Sequence, residues 1–341
     1  MESITLIVAC YNVEAFLEEC LQSIAVQSYP HFKVLVIDDG ATDATPSIID
    51  QFAKNDSRFH AIHQSNKGLS ETRNVGLTQV TTPWVAFIDG DDFLAPDYLQ
   101  KLIAVAEGSD LVACSYNRQF KTNSLPRSLG WNGNYSAAQM QRRIIGLVDE
   151  ELRDPSQADS MVTAWGKLYQ TAIIQQHQLQ FVSTKIIGTE DALFNIQYLE
   201  QANNVYILDE PLYQYRKYNA QSLTNTYKAR LSEQWLHLYG LIQPYTLSKN
   251  EEFEQAYYNR VALSVIGLGL NEQLNPNGFW AKYSKLKAIM QQPLYEKAFT
   301  LLNLSYFPIH WKLFFRLAKG KWIIGMLFML QGIQWMIKKN Q

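Results

Sequence analysis

Three short apolar runs do most to limit what this chain can become. "ITLIVAC" (4–10), "KVLVI" (33–37) and "WVAFI" (84–88) are each followed at once by polar or acidic residues. Runs of this length, rich in β-branched residues, read as strands buried on both faces. Helical spacing fills the gap after the first: Val13, Phe16, Leu17, Cys20, Leu21 and Ile24 fall on one face. Thr45 before Pro46 reads as the N-cap of a second helix. "FHAIH" (59–63) and "DLVACSY" (110–116) add two more strands. Strand and helix in alternation predict an α/β fold around a mainly parallel sheet.

In such sheets ligands bind beyond the carboxyl ends of the strands. Tyr11 and Asn12 follow the first strand, Asp38 and Asp39 the second, and "DGDD" (89–92) the fourth. These polar groups therefore gather along one edge. Three carboxylates within four residues repel one another unless a cation joins them. Asp89 and Asp91 form an Asp-x-Asp, and Mg²⁺ or Mn²⁺ takes one or two carboxylates together with phosphate oxygens. An EF-hand is excluded, because the sixth position is Leu94 and the twelfth Gln100. An acidic, solvated turn is the plain alternative. Gly40 in "VIDDGATD" permits close backbone approach, although the same stretch also suits an ordinary turn. Arg73 in "NKGLSETRN" is either a solvated helix arginine or the counter-charge to the acidic cluster. Neither a Walker A motif nor Gly-x-Gly-x-x-Gly is present.

The order "VACYNVEAFLEECLQSIAVQSYPHFKVLVIDDGATD", "NKGLSETRNVGL", "FIDGDD" resembles family 2 glycosyltransferases. "AWGKLY" (164–169) and "TEDALF" (189–194) are similar to that family's acceptor-side motifs, so the resemblance covers residues 3–225. It implies a GT-A, Rossmann-like fold and inverting transfer of a sugar from a UDP-sugar to a hydroxyl. The acceptor would be a glycan or lipid-linked saccharide of bacterial surface polysaccharide: capsule, exopolysaccharide or teichoic acid. It further implies that Tyr11 stacks on the base and Asp39 accepts from the uracil N–H. Arg73 would lie near the diphosphate and donor sugar. Asp91 would ligate Mn²⁺ or Mg²⁺, with Asp89 on ribose or sugar hydroxyls and as the second metal carboxylate. Asp191 would be the catalytic base, with Glu190 as its substitute. A helix start favours a carboxylate charge there, with Gly188 or Thr189 as cap. Trp165 and Lys167 would border the acceptor. The family's "DDGSTD" has Ala41 in place of its serine, and Tyr218 stands where some members carry a histidine ligand. Arg216 and Ser222 remain as phosphate contacts. Two other classes are weighed against this: a non-catalytic nucleotide-sugar-binding subunit, and a sugar nucleotidyltransferase. The latter would need a glycine-rich basic loop that "VACYNVEAF" does not supply.

Residues 1–225 are expected to form the catalytic domain, with a nucleotide half over 1–120 and an acceptor half over 121–225, the stretch 121–160 reading as loop. Residues 226–341 read as helical. From 301 onward the chain carries Lys312, Arg316, Lys319, Lys321, Lys338 and Lys339 and no Asp or Glu. The apolar run 322–337 would span about 24 Å as a helix, short of the roughly 30 Å hydrocarbon core. Segment 310–339 is therefore expected to lie on a membrane surface. Three scattered cysteines and an N-terminus without a basic leader predict a reduced cytoplasmic protein, peripheral at the inner face of the cell membrane. A net charge of −2 argues against nucleic acid as partner, and a second copy of the chain is a further candidate.

Overall fold

The computed structural model describes residues 2–218, 226–247 and 249–339, with side chains through 337. The expected boundary near 225, Ser222, and the side chains of Lys338 and Lys339 lie outside the described residues.

The chain divides into two compact units. The first holds residues up to Gln141 and again from Val162 to the end of the sheet. Its elements run β1 (Ile4–Cys10), α1 (Glu14–Ala25), β2 (Phe32–Asp38), α2 (Thr45–Asn55), β3 (Phe59–His63), α3 (Leu69–Thr78), β4 (Trp84–Asp89) and β5 (Phe93–Leu94). Then come α4 (Tyr98–Ala104), β6 (Leu111–Gln119), β7 (Ser124–Arg127), β8 (Gly133–Ser136), α5 (Ala137–Ile145), β9 (Lys167–Gln170), α6 (Thr171–Gln176), α7 (Glu190–Gln201) and β10 (Asn204–Arg216). The sheet order is β3-β2-β1-β4-β9-β6-β10-β5, with β7 on β6 and β8 on β10. β3, β2, β1 and β4 are mutually parallel. β9 inserts antiparallel between β4 and β6, and β10 returns parallel to β6. The fold is thus α/β with a mostly parallel sheet.

Every residue of β1 is buried, as its unbroken apolar run requires. The strand order reverses between β1 and β4, which makes that edge a topological switch point. In register, Cys10 lies beside Asp38 and Ala9 beside Asp89. Three strands therefore end together, and so do the polar residues that follow them.

Several local expectations change. Thr45 is the first residue of α2 and does not cap it; its Oγ1 accepts from the Val13 amide at 3.0 Å and ties α2 to α1. Thr189 takes the N-cap position of α7 but makes no capping bond. The supposed loop 121–160 contains β7, β8 and α5.

The second unit joins Arg142–Met161 to the C-terminal helices. These are α8 (Leu231–Ile242), α9 (Pro244–Leu247), α10 (Glu251–Gln273), α11 (Gly278–Met290), α12 (Pro293–Leu301), α13 (Ile309–Lys319) and α14 (Ile323–Lys339). α10 is its axis. Asn250 caps it, with three glutamates in the first turn, where the helix dipole favours them. Arg142–Met161 belongs with α10 because polar bonds hold it there. Arg260 donates to the carbonyls of Ile144 and Ile145 at 2.7 Å, and Asn259 to that of Leu147 at 2.8 Å. Arg142 pairs with Glu151 and Glu252.

Candidate active site

At the end of β1, Tyr11 leaves its ring 49% exposed. Asn12 follows at φ +50°, and its Oδ1 accepts from the Thr42 amide at 2.8 Å. This draws the loop after β2 against the loop after β1. Asp39 is buried. Its Oδ1 accepts from Gln64 Nε2 and the Lys67 amide, and its Oδ2 from the Gly68 amide, each at 2.8 Å. A carboxylate offers about four lone-pair directions, so roughly one remains for a ligand donor. Gly40 sits at φ +70°, where a Cβ would come within 2.8 Å of the Asn66 nitrogen. Only glycine lets the two loops close this way.

The three carboxylates after β4 take different surroundings. Asp92 is buried, accepting from the Tyr213 hydroxyl and the Arg216 amide, both at 2.8 Å. Burial, with the nearby charges of Asp91 and Asp89, raises its pKa well above the usual carboxylate range. It anchors the turn to β10. Asp89 turns the other way and meets Arg73 Nη2 at 2.9 Å. Asp91 is half-buried at the strand edge. Gly90 between them packs on β1, where a Cβ would stand 3.0 Å from the Ala9 carbonyl oxygen.

Arg73 is almost fully buried. Its Nη1 donates to Asp191 at 2.6 Å and lies 3.3 Å from Glu190, both at the start of α7. Its guanidinium also lies over the Phe181 ring. Burial alone would lower its pKa, but the charges of Asp191, Asp89 and Glu190 together raise it. Of the two sequence readings, the counter-charge describes it. Asn74, one residue on, exchanges two hydrogen bonds with the Phe181 backbone and fixes α3 against that segment.

Asp191 Oδ2 accepts from the Ala164 amide at 2.8 Å, so "AWGKLY" and "TEDALF" meet directly. Asn195, one turn along α7, donates to the carbonyls of Val162 and Asp191 and accepts from the Tyr169 hydroxyl. Burial first, and the Asp191 charge second, push the Glu190 carboxyl up to about 7 against the pull of Arg73. Burial pushes the Lys167 ammonium down to about 8, partly offset by Asp191.

Three expected contacts are placed inward. Trp165 is buried, stacked on Tyr213 at 4.4 Å and tilted on Tyr215 at 5.2 Å. Lys167 is also buried and donates to the Thr163 carbonyl. Neither presents an open surface to an acceptor; the aromatic and apolar packing of the sheet claims them. Arg216 directs its guanidinium at Glu19 (2.8 Å), the Asp91 carbonyl (2.6 Å) and the Tyr218 hydroxyl. These protein partners occupy it where a phosphate contact was expected.

Among the described residues no three His, Cys, Asp or Glu side chains form a ready-made metal cage. The donor set still fits a hard dication. Asp89 and Asp91 offer carboxylate oxygen, and Mg²⁺ or Mn²⁺ commonly draws its remaining ligands from phosphates and water.

A model of glycosyl transferase family 2 matches residues 5–160. EpsH of Bacillus subtilis is 31% identical over 74% of this chain and 71% of its own length. The chain belongs to glycosyl transferase family 2. Its fold is that of GT-A glycosyltransferases. Staphylococcus aureus TarS 1–349, solved with UDP-GlcNAc, superposes with a TM-score of 0.68 at 20% identity, over 97% of this chain and 91% of TarS 1–349. A mannosyltransferase of Pyrobaculum calidifontis, solved with GDP-Man and Mn²⁺, gives 0.52 at 17% identity over 88% and 79%.

Nothing in the sequence marks the Ala164 amide, Asn195 or Tyr213 as neighbours of these candidate residues. Backbone donors carry no residue signature, and a tyrosine that anchors Asp92 from 121 residues away has no local pattern.

Proposed function

We propose that this glycosyltransferase moves a sugar from a UDP-sugar to a hydroxyl of a glycan or lipid-linked acceptor, with inversion, in bacterial surface-polysaccharide synthesis. One observation carries the reading: a single buried guanidinium ties the Asp-x-Asp strand end to the candidate base, through Asp89 at 2.9 Å and Asp191 at 2.6 Å. The two halves of a displacement reaction are thereby held in fixed relation. The UDP-GlcNAc complex of the TarS fragment supports a uridine donor.

Tyr11 offers an exposed ring for the base, and Asp39 keeps about one acceptor direction for the uracil N–H. Asp91, with Asp89, would hold Mn²⁺ or Mg²⁺. Such an ion neutralises charge gathering on the departing diphosphate. Asp191 takes the proton of the attacking hydroxyl, held for that task by Arg73 and the Ala164 amide. Such a base is worth about 10²–10⁴-fold in rate. Glu190, Trp165 and Lys167 act by shaping and charging the surroundings of Asp191. Segment 310–339 would keep the enzyme at the inner face of the cell membrane.

Calorimetric titration of UDP with Mn²⁺, then with EDTA, tests the donor site. Metal-dependent micromolar binding is expected, and no binding in either condition would remove the uridine assignment. Asp191→Asn is expected to abolish transfer from a UDP-sugar while UDP affinity stays within about twofold. Wild-type turnover in that variant would take Asp191 out of the mechanism.

A further inference from the structure

We infer that the outward face of α13 and α14 docks on an anionic lipid surface, a partner that sharpens the proposed placement of segment 310–339 and rests on that reading. The inward stripes of both helices are already satisfied. Phe314, Phe315 and Ala318 of α13 are buried, as are Ile323, Met326, Leu327 and Leu330 of α14. Gln273 of α10 donates to the Leu327 carbonyl at 3.0 Å and fixes α14 in place. The core therefore needs nothing more from these helices.

Their outward faces should then be polar, as on any helix that borders water. They are not. Ile309 is 86% exposed, Trp322 71% and Phe328 66%, and Leu313 and Ile324 are also exposed. Large exposed apolar residues grouped in this way mark an interaction surface.

Charge selects the partner. Lys312 and Arg316 flank Ile309 and Leu313 on α13, and neither enters an ion pair among the described residues. Lys321 beside Trp322 is paired with Glu296 at 2.5 Å, and Lys319 donates to the Leu302 carbonyl. No carboxylate side chain occurs from 301 onward. A two-fold pairing of this face with its own copy would bring like charges together. A surface of acidic headgroups would meet both the bases and the apolar side chains. No described helix is long and apolar enough to cross a membrane, so the pair lies on the surface.

The test is sedimentation of the full chain with vesicles, with phosphatidylglycerol and phosphatidylcholine mixed in one set and phosphatidylcholine alone in the other. Binding to the mixed vesicles only is expected, weaker at 0.5 M salt. Lys312→Glu with Arg316→Glu should weaken it by about thirtyfold or more, since each base near such a surface contributes about fivefold. Phe328→Ser should also release the protein. UDP titration of each variant reports that the catalytic unit is intact. Absence from the mixed vesicles, or binding indifferent to both variants, would overturn the inference. So would a dimer seen by light scattering that Phe328→Ser disperses, which would give the face to a second copy. Vesicle binding by a chain that does not bind UDP would uphold the surface and remove the donor reading.

Discussion

At Arg73 one cation faces Asp89, Glu190 and Asp191 in a buried volume, so its removal leaves carboxylates without a counter-charge. Arg73→Met should cost about 3–5 kcal/mol, read from urea unfolding, because breaking a buried pair strands the remaining charge. Glu190 gives the site a pH signature. Its carboxyl rises from 4.5 unfolded to about 7 folded, so the folded state holds the proton more tightly. The resulting stability is fully present below about pH 4.5 and fades as pH climbs through 7. Glu190→Gln should remove that slope, on the order of a few kcal/mol, from a series of unfolding midpoints across pH 4–8. The sequence marks Arg73, Asp89, Glu190 and Asp191 as candidates but not the partner each one takes. Arg73 reads the same on a solvated helix and in a buried cluster, because the difference is made by α7, more than a hundred residues on.

Single elements were legible where one physical rule acts alone. β1, β2 and β4 are continuous apolar runs, and the structure places them within a residue of the sequence reading. α7 likewise follows its own periodicity. β9 was missed because four residues, with Lys167 among them, carry no strand pattern; it exists because β4 and β6 offer edges on either side. The apolar alternation of "NVYILD" (204–209) ends well short of the strand it begins, since β10 continues through Arg216 with shifts of register around Pro211. That extension delivers Tyr213 to Asp92 and to the Asp89 amide. Tyr213→Phe should therefore lower stability by about 1–3 kcal/mol by leaving the buried Asp92 under-bonded, measurable as a fall in melting temperature.

Across the whole molecule, the alternation of strand and helix patterns indicated a mainly parallel α/β core, and helical spacing the C-terminal helices. It could not assign residues 142–161, because Arg142, Arg143 and Asp159 read as a solvated loop until α10 supplies Glu252 and Arg260. Cys10, Cys20 and Cys114 are all buried, and burial raises each thiol's pKa. A thiol reagent should modify none of the three at a measurable rate in the native protein and all of them in denaturant. Fast labelling without denaturant would show that the sheet opens locally. The anchoring of Asp92 by Tyr213 and Arg216 also bears on how the chain is made. Synthesis runs from the N-terminus, so the ribosome releases the acidic turn long before the strand that buries it. Until then β6 lacks its parallel neighbour, and the nascent catalytic half must wait with an open sheet edge. A message truncated ahead of codon 204 should accordingly yield a protease-sensitive fragment, however complete its nucleotide-facing strands.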